Sequence, residues 1–146
     1  MNIHHNTLVL VADGKKFLLL RNTGDFKAPV LVCEESGEQE NPSARDQGSS
    51  PPGRAFGSGA ARSAVEQADF HRQAKQVFAG FIAERLGKLE QGGDFEELVV
   101  VAPARTLAEL RAHCDQQVSA RIVAEIDKDL TRHPVDEIAA ILLKAD

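Results

Sequence analysis

Gln47-Gly48-Ser49-Ser50-Pro51-Pro52-Gly53-Arg54-Ala55-Phe56-Gly57-Ser58-Gly59-Ala60-Ala61-Arg62, running on into Ser63 to Leu89, divides the chain into two parts of different pattern. The first half of this stretch is a Gly/Ser/Pro/Arg loop; the second is the longest helical pattern in the sequence. Phe70, Ala74, Val77, Phe78, Phe81, Ile82 and Leu86 recur on one face of a 3.6-residue period. Ser63-Ala64-Val65-Glu66 fits a capping box at the helix start. Gly87 and Gly92-Gly93 are the expected stop signals, because glycine adopts left-handed geometry cheaply. A long loop mounted on a rigid helix is a common way to present a functional group.

Before this stretch lie three strand patterns. Thr7 to Ala12 is a short apolar run closed by Asp13-Gly14, and Lys15 to Arg21 follows directly, so Asp13-Gly14 predicts a hairpin turn. After the turn signal at Asn22 to Asp25, Ala28 to Glu34 is a third strand, with Pro29 at its start or on an edge. Glu35 to Arg62 is too long for an ordinary connection and poor in apolar residues, which predicts a long flexible loop over 35–62, either functional or disordered. Phe56 is its one aromatic, there to dock the loop or to offer a stacking surface.

After the long helix, strands and helices alternate. Glu97 to Pro103 has the unbroken β-branched character of a strand covered on both faces. Thr106-Leu107-Ala108-Glu109 fits a second capping box, with Leu107, Leu110 and Cys114 on one face of a short helix. Val118, Ile122, Ile126 and Leu130 also suit a helix, but short length and β-branched content favour a strand over Arg121–Ile126. His133-Pro134 opens a last helix with Val135, Ile138, Ala139 and Leu142 inward. The predicted order is β-β-β-α-β-α-β-α. It implies one α/β domain over residues 1–146, a mixed five-stranded sheet flanked by helices, as in ribonuclease H-like architectures.

Composition narrows the function classes. At 146 residues the chain is long enough to bury a core without disulfides or metals. The sequence has no membrane-length apolar run and no signal-peptide pattern at its start, so a cytoplasmic location is expected. Cys33 and Cys114 match no metal or redox spacing and read as reduced, mostly buried thiols. The net charge is −5, unevenly spread. Leu89 to Asp146 holds twelve carboxylates against six Lys/Arg, whereas Asn41 to Lys88 holds seven Lys/Arg against four carboxylates. The loop and long helix are thus mildly basic, far from the dense stripe of a duplex-DNA binder.

Several runs together resemble a known family: Leu8 to Gly14, Phe78-Ala79, Leu98 to Pro103, Thr106-Leu107 with Leu110-Arg111, and Ala124 to Leu130. They resemble the bacterial family labelled host attachment protein, which is similar to the middle domain of archaeal and eukaryotic peptide-chain release factors. The resemblance covers nearly the whole chain, and its most specific piece is Ala124–Leu130 followed by Pro134 and a helix. It implies a release-factor-middle-domain fold, and the family label implies a part in attachment to host cells. In those release factors the loop before the long helix carries Gly-Gly-Gln, which promotes ester hydrolysis in the ribosomal peptidyl-transferase centre. The counterpart here, Gly57-Ser58-Gly59-Ala60-Ala61-Arg62, keeps glycines and an arginine but has no glutamine; Gln47 and Gln67 fall elsewhere. The departure argues against release chemistry and leaves a ribosome- or RNA-associated role.

The expected function is therefore a non-catalytic, release-factor-like module without a cofactor, met by ribosomal or other structured RNA. Arg54, Gly57, Gly59, Arg62 and Arg72 are its candidate anion-binding residues. One alternative is a metal-dependent nuclease using Asp13 with Asp127 or Asp129, since two-metal phosphoryl chemistry needs clustered carboxylates. Asp13 is also explained by its turn, and Asp127 and Asp129 by solvation or pairing with Lys128. A second alternative is a protein partner in attachment, engaged through the acidic C-terminal third. His71 has no second ligand at helical spacing; His4 and His5 are a terminal pair, and His113 and His133 suit helix ends. No nucleophile elbow, Walker loop or dinucleotide fingerprint is present.

Overall fold

The computed structural model describes residues 1–39 and 64–145, the side chains of 64–72 excepted. The elements are β1 (Leu8–Ala12), β2 (Lys16–Asn22), β3 (Leu31–Glu38), α1 (Ala64–Gln91), β4 (Leu98–Ala102), α2 (Ala104–His113), α3 (Gln116–Arg121), β5 (Ile122–Asp127) and α4 (Val135–Lys144). They form the expected mixed sheet, ordered β3-β2-β1-β4-β5. β2 pairs antiparallel with β1 and with β3, while β1–β4 and β4–β5 are parallel.

Every residue of β1 and β4 is buried, which is why both read as continuous apolar runs. One face of the sheet presents Leu8, Leu10, Phe17, Leu19, Leu98 and Val100 to α1, α2 and α3. The other presents Val9, Val11, Leu20, Leu31, Val99 and Val101 to Ile3, Leu130 and α4. The chain is thus three-layered, with two central strands shielded from water on both sides.

Several boundaries and faces differ from expectation. The third strand begins at Leu31 and runs to Glu38, past the predicted end at Glu34. Pairing with β2 explains this: a bulge at Leu19/Leu20 absorbs one residue, and Phe17 and Lys16 then meet Gly37 and Glu38. An edge strand satisfies its backbone on one side without apolar side chains, so its polar composition concealed it. A short helix, α3, was not anticipated; Asp115 caps it by accepting from the Val118 amide at 2.8 Å. Strand β5 follows at once, and the helical alternative for this segment is discarded.

α1 continues through Gly87 and ends at Gln91. Its stop is Gly93, left-handed at φ +72°, with the Gly92, Gly93 and Asp94 amides returning to Lys88, Glu90 and Leu89 carbonyls. The buried stripe of α1 is Phe78, Ala79, Ile82, Ala83 and Leu86; Val77 and Phe81 stay exposed. The alanines face the packing partners because they permit close approach, which rotates the larger Val77 and Phe81 outward. Thr106 does not cap α2, whose N-cap is Pro103 with φ −59° and ψ 155°. Pro103 already has extended geometry, so the helix begins two residues before the expected box. Ser63 lies outside the described residues, and the Glu66 side chain with it. Among the described residues no helix is long and apolar enough to cross a membrane.

Candidate functional site

Strands β1, β3, β4 and β5 point the same way, so Ala12, Glu38, Ala102 and Asp127 end on one edge of the sheet. The carboxyl edge of parallel strands is where α/β sheets place ligands, because loops and helix N-termini converge there. The Lys75 stem of α1 lies against Gly14 of the β1–β2 turn. A Cβ on Gly14 would come within 2.9 Å of Lys75 Cγ, Cδ and Cε. The helix therefore returns to the edge from which β3 leaves.

Hydrogen bonds knit this edge together. Asp13 Oδ1 accepts from the Lys15 and Lys16 amides, both at 2.7 Å, as expected of an Asp opening a tight turn. Its Oδ2 accepts from the Thr131 hydroxyl at 3.0 Å. Asp129 Oδ1 meets the same hydroxyl at 2.8 Å and accepts from the Thr131 amide at 3.2 Å. The Gln39 amide donates to the Lys15 carbonyl at 2.7 Å. Three loops distant in sequence are thus held on one small surface.

The same surface carries Lys15, Lys16, Arg105, Lys128 and Arg132, none of which makes an ion pair among the described residues. Asp13 and Asp129 direct oxygens to amides and a hydroxyl rather than to these cations, while Glu38 and Asp127 add two further carboxylates to the same edge. The opposite edge behaves differently. A cleft of about 520 Å³ there includes Glu34, Asp94, Glu96 and Glu97 around Arg21. Arg21 donates to the carbonyls of Asn6 (3.0 Å) and Asp94 (2.7 Å) and pairs with Glu34 at 3.1 Å. That guanidinium is fully engaged in joining β2 to the turn after α1, and the cleft is acidic.

Of the residues singled out from sequence, Arg54, Gly57, Gly59 and Arg62 lie outside the described residues, as does Phe56. Arg72 is on α1, upstream of Lys75 on the same helix. The alternative metal set is only partly assembled: Asp13 and Asp129 meet through Thr131, while Asp127 ends β5 opposite Ala102. Among the described residues no three His, Cys, Asp or Glu side chains converge in a way that could hold a metal ion. The expected Lys128 pairing with Asp127 or Asp129 does not form. Cys33, expected to be buried, is exposed because its edge strand has no cover on that side. Cys114 is half-buried against the core, and burial pushes its thiol up to about 11, helped by the Asp115 and Glu125 charges. His133 Nδ1 meets Glu137 at 3.0 Å, one turn into α4. Thr131 carried no sequence signal; its role depends on a contact with a residue 118 positions away.

The sequence matches the model of bacterial archaeo-eukaryotic release factor family 12 over residues 6–142. No curated protein matches the chain. The match takes in all five strands, α1 to α3 and α4 as far as Leu142, and the chain belongs to this family.

Proposed function

We propose that this member of the release factor family 12 is a non-catalytic module that docks on ribosomal or other structured RNA. The docking edge is the carboxyl edge of its sheet. The observation that carries this reading is the set of five cations on that edge without ion-pair partners among the described residues, in a chain whose net charge is −5. Uncompensated Lys and Arg suit phosphate contacts, which position a nucleic acid without reading its sequence. Arg54, Gly57, Gly59 and Arg62 precede α1 in the sequence and Arg72 lies within that helix; they are further candidate phosphate contacts of this reading. The missing glutamine argues against peptide release, and no cofactor is needed for docking. A cytoplasmic setting accords with such a partner.

Co-sedimentation with ribosomes from lysate, at low and moderate salt, tests this. Wild type should sediment with ribosomes at low salt and dissociate as salt rises, because phosphate contacts release counterions. Lys15→Ala/Lys16→Ala and Arg54→Ala/Arg62→Ala should each weaken association and flatten its salt dependence. A protein that stays wholly at the top of the gradient at low salt would remove the ribosome reading.

A further inference from the structure

The two outermost strands of the sheet differ in what they offer. β5 has six residues, and its Glu125 is tied to Arg111 of α2 at 2.7 Å. β3 has eight residues and pairs with β2 alone among the described residues. At one end of that ladder the Thr23 amide donates to the Val30 carbonyl at 2.8 Å; at the other the Gln39 amide donates to the Lys15 carbonyl at 2.7 Å. In an antiparallel pair, residues bonded inward alternate with residues turned outward. Leu31 and Cys33 before the bulge, and Ser36 and Glu38 after it, therefore turn their N–H and C=O groups away from β2. These groups have no partner among the described residues.

Outer strands are ordinarily shielded by Lys, by proline, by short length or by a covering element. β3 has no Lys, Arg or Pro; it carries a bulge and the carboxylates Glu34, Glu35 and Glu38. A second copy of the same strand laid against it would set carboxylate beside carboxylate, which opposes pairing. A basic strand would be attracted by the same residues.

The adjoining surface has the same sign. Glu34 belongs both to β3 and to the acidic cleft of about 520 Å³. Arg21 and Thr23 line that cleft, and their cross-strand neighbours Val32 and Val30 share their face of the sheet. Arg21 is already bonded to Glu34 and to two carbonyls. Asp94 and Glu96 of the cleft are exposed and make no ion pair among the described residues. Val30 and Val32 are exposed as well. Open backbone groups, exposed valines and uncompensated carboxylates thus run side by side along one strand.

We infer that the outer side of β3 is a docking site for an extended, basic peptide segment of a partner protein, added as a further strand. Its backbone takes the outward groups of Leu31, Cys33, Ser36 and Glu38, and its side chains give the specificity. Side chains on one face of a strand recur about every 7 Å, so every second residue of the added strand faces the cleft side. A Lys or Arg there lays its methylene stem over Val30 and Val32 and puts its charged head among Glu34, Asp94 and Glu96. The site lies wholly in described residues and does not rest on the RNA-docking reading.

Amide hydrogen exchange and NMR titration of the full chain with a capped Lys-Thr-Lys-Thr-Lys-Thr peptide test the site. In the free chain the Leu31, Cys33, Ser36 and Glu38 amides should exchange fast, and the peptide should shift and protect them in a saturable way. A Glu-Thr-Glu-Thr-Glu-Thr peptide should not bind. A Lys-Pro-Lys-Pro-Lys-Pro peptide should not bind either, because it has equal charge but lacks ladder donors. Ser36→Pro, at a position where an outer strand tolerates proline, should weaken binding about tenfold, the worth of one hydrogen bond. Glu96→Gln, which leaves the strand untouched, should weaken it about threefold. Equal binding of the Lys-Pro and Lys-Thr peptides would reduce the effect to diffuse charge and overturn the strand site, as would the absence of saturable shifts on β3. Outward amides that exchange slowly in the free chain would show the strand already covered and overturn the site as well. Protection that grows with protein concentration would make the occupant a second copy and remove the peptide.

Discussion

One hydroxyl, that of Thr131, joins the β1–β2 turn to the loop after β5 across 118 positions of sequence. Thr131 is 2% exposed while Asp13 is half-buried, so removing the hydroxyl breaks the tie but leaves Asp13 Oδ2 within reach of water. Thr131→Val should therefore cost about 1 kcal/mol of stability in urea denaturation, the net worth of one such hydrogen bond. Thr131→Ser should recover most of it. The two thiols should separate cleanly under alkylation. Cys33 is exposed and should react first, whereas Cys114 is half-buried with its thiol raised to about 11. Because the folded value lies above the unfolded one, the Cys114 contribution to stability is complete below the unfolded value of 9.0 and is lost as pH rises through about 11. Comparing wild type with Cys114→Ala across pH 8 to 11 checks the sign: the variant should lose less stability in that window.

Among the elements, α1 does the most to position the candidate interface. Its buried face is narrow, and Ile82 sits at the middle of it at 2% exposure. Ile82→Ala should destabilise the chain by about 2–5 kcal/mol, since a cavity adds to the lost transfer energy. The helix ends where Gly93 turns left-handed, and Gly93→Ala should cost about 1 kcal/mol, because a Cβ disfavours that geometry. Both effects are read from thermal or urea unfolding. Arg85 ties α1 to β3 by donating from Nε to both Glu35 oxygens at 2.9 and 3.0 Å, and the pair holds the guanidinium above its ordinary range. This pairing was invisible in sequence, because Glu35 was expected in a loop and is in fact a strand residue. At Gly37 in the same strand, a Cβ would come within 2.6 Å of Phe17 Cε1, so the glycine there serves close approach to an aromatic ring.

The two ends of the one sheet differ in charge: carboxylates gather around Arg21 at one edge, and the other carries five cations that make no ion pair among the described residues, beside Asp13, Glu38, Asp127 and Asp129. In ribosome co-sedimentation, each phosphate contact removed from the basic edge should lower the slope of log affinity against log salt by about 1. Substitutions in the acidic cleft, such as Glu96→Gln, should leave that slope unchanged. Much of the architecture was legible in the sequence, because burial on both faces forces strands such as Val99-Val100-Val101 to be continuously apolar. Hairpin chemistry at Asp13-Gly14, proline before α4 and glycine after α1 likewise mark boundaries through local backbone preference. Those features depend on neighbours in the chain, and the sequence alone determined them, along with family membership. Which face of α1 is buried, where β3 ends, and how Thr131 meets Asp13 are settled only by pairing between distant segments. The basic edge is of the same kind: Lys15, Lys16, Arg105, Lys128 and Arg132 are scattered along the chain, and only the parallel course of β1, β4 and β5 gathers them, since strands that run together must end together.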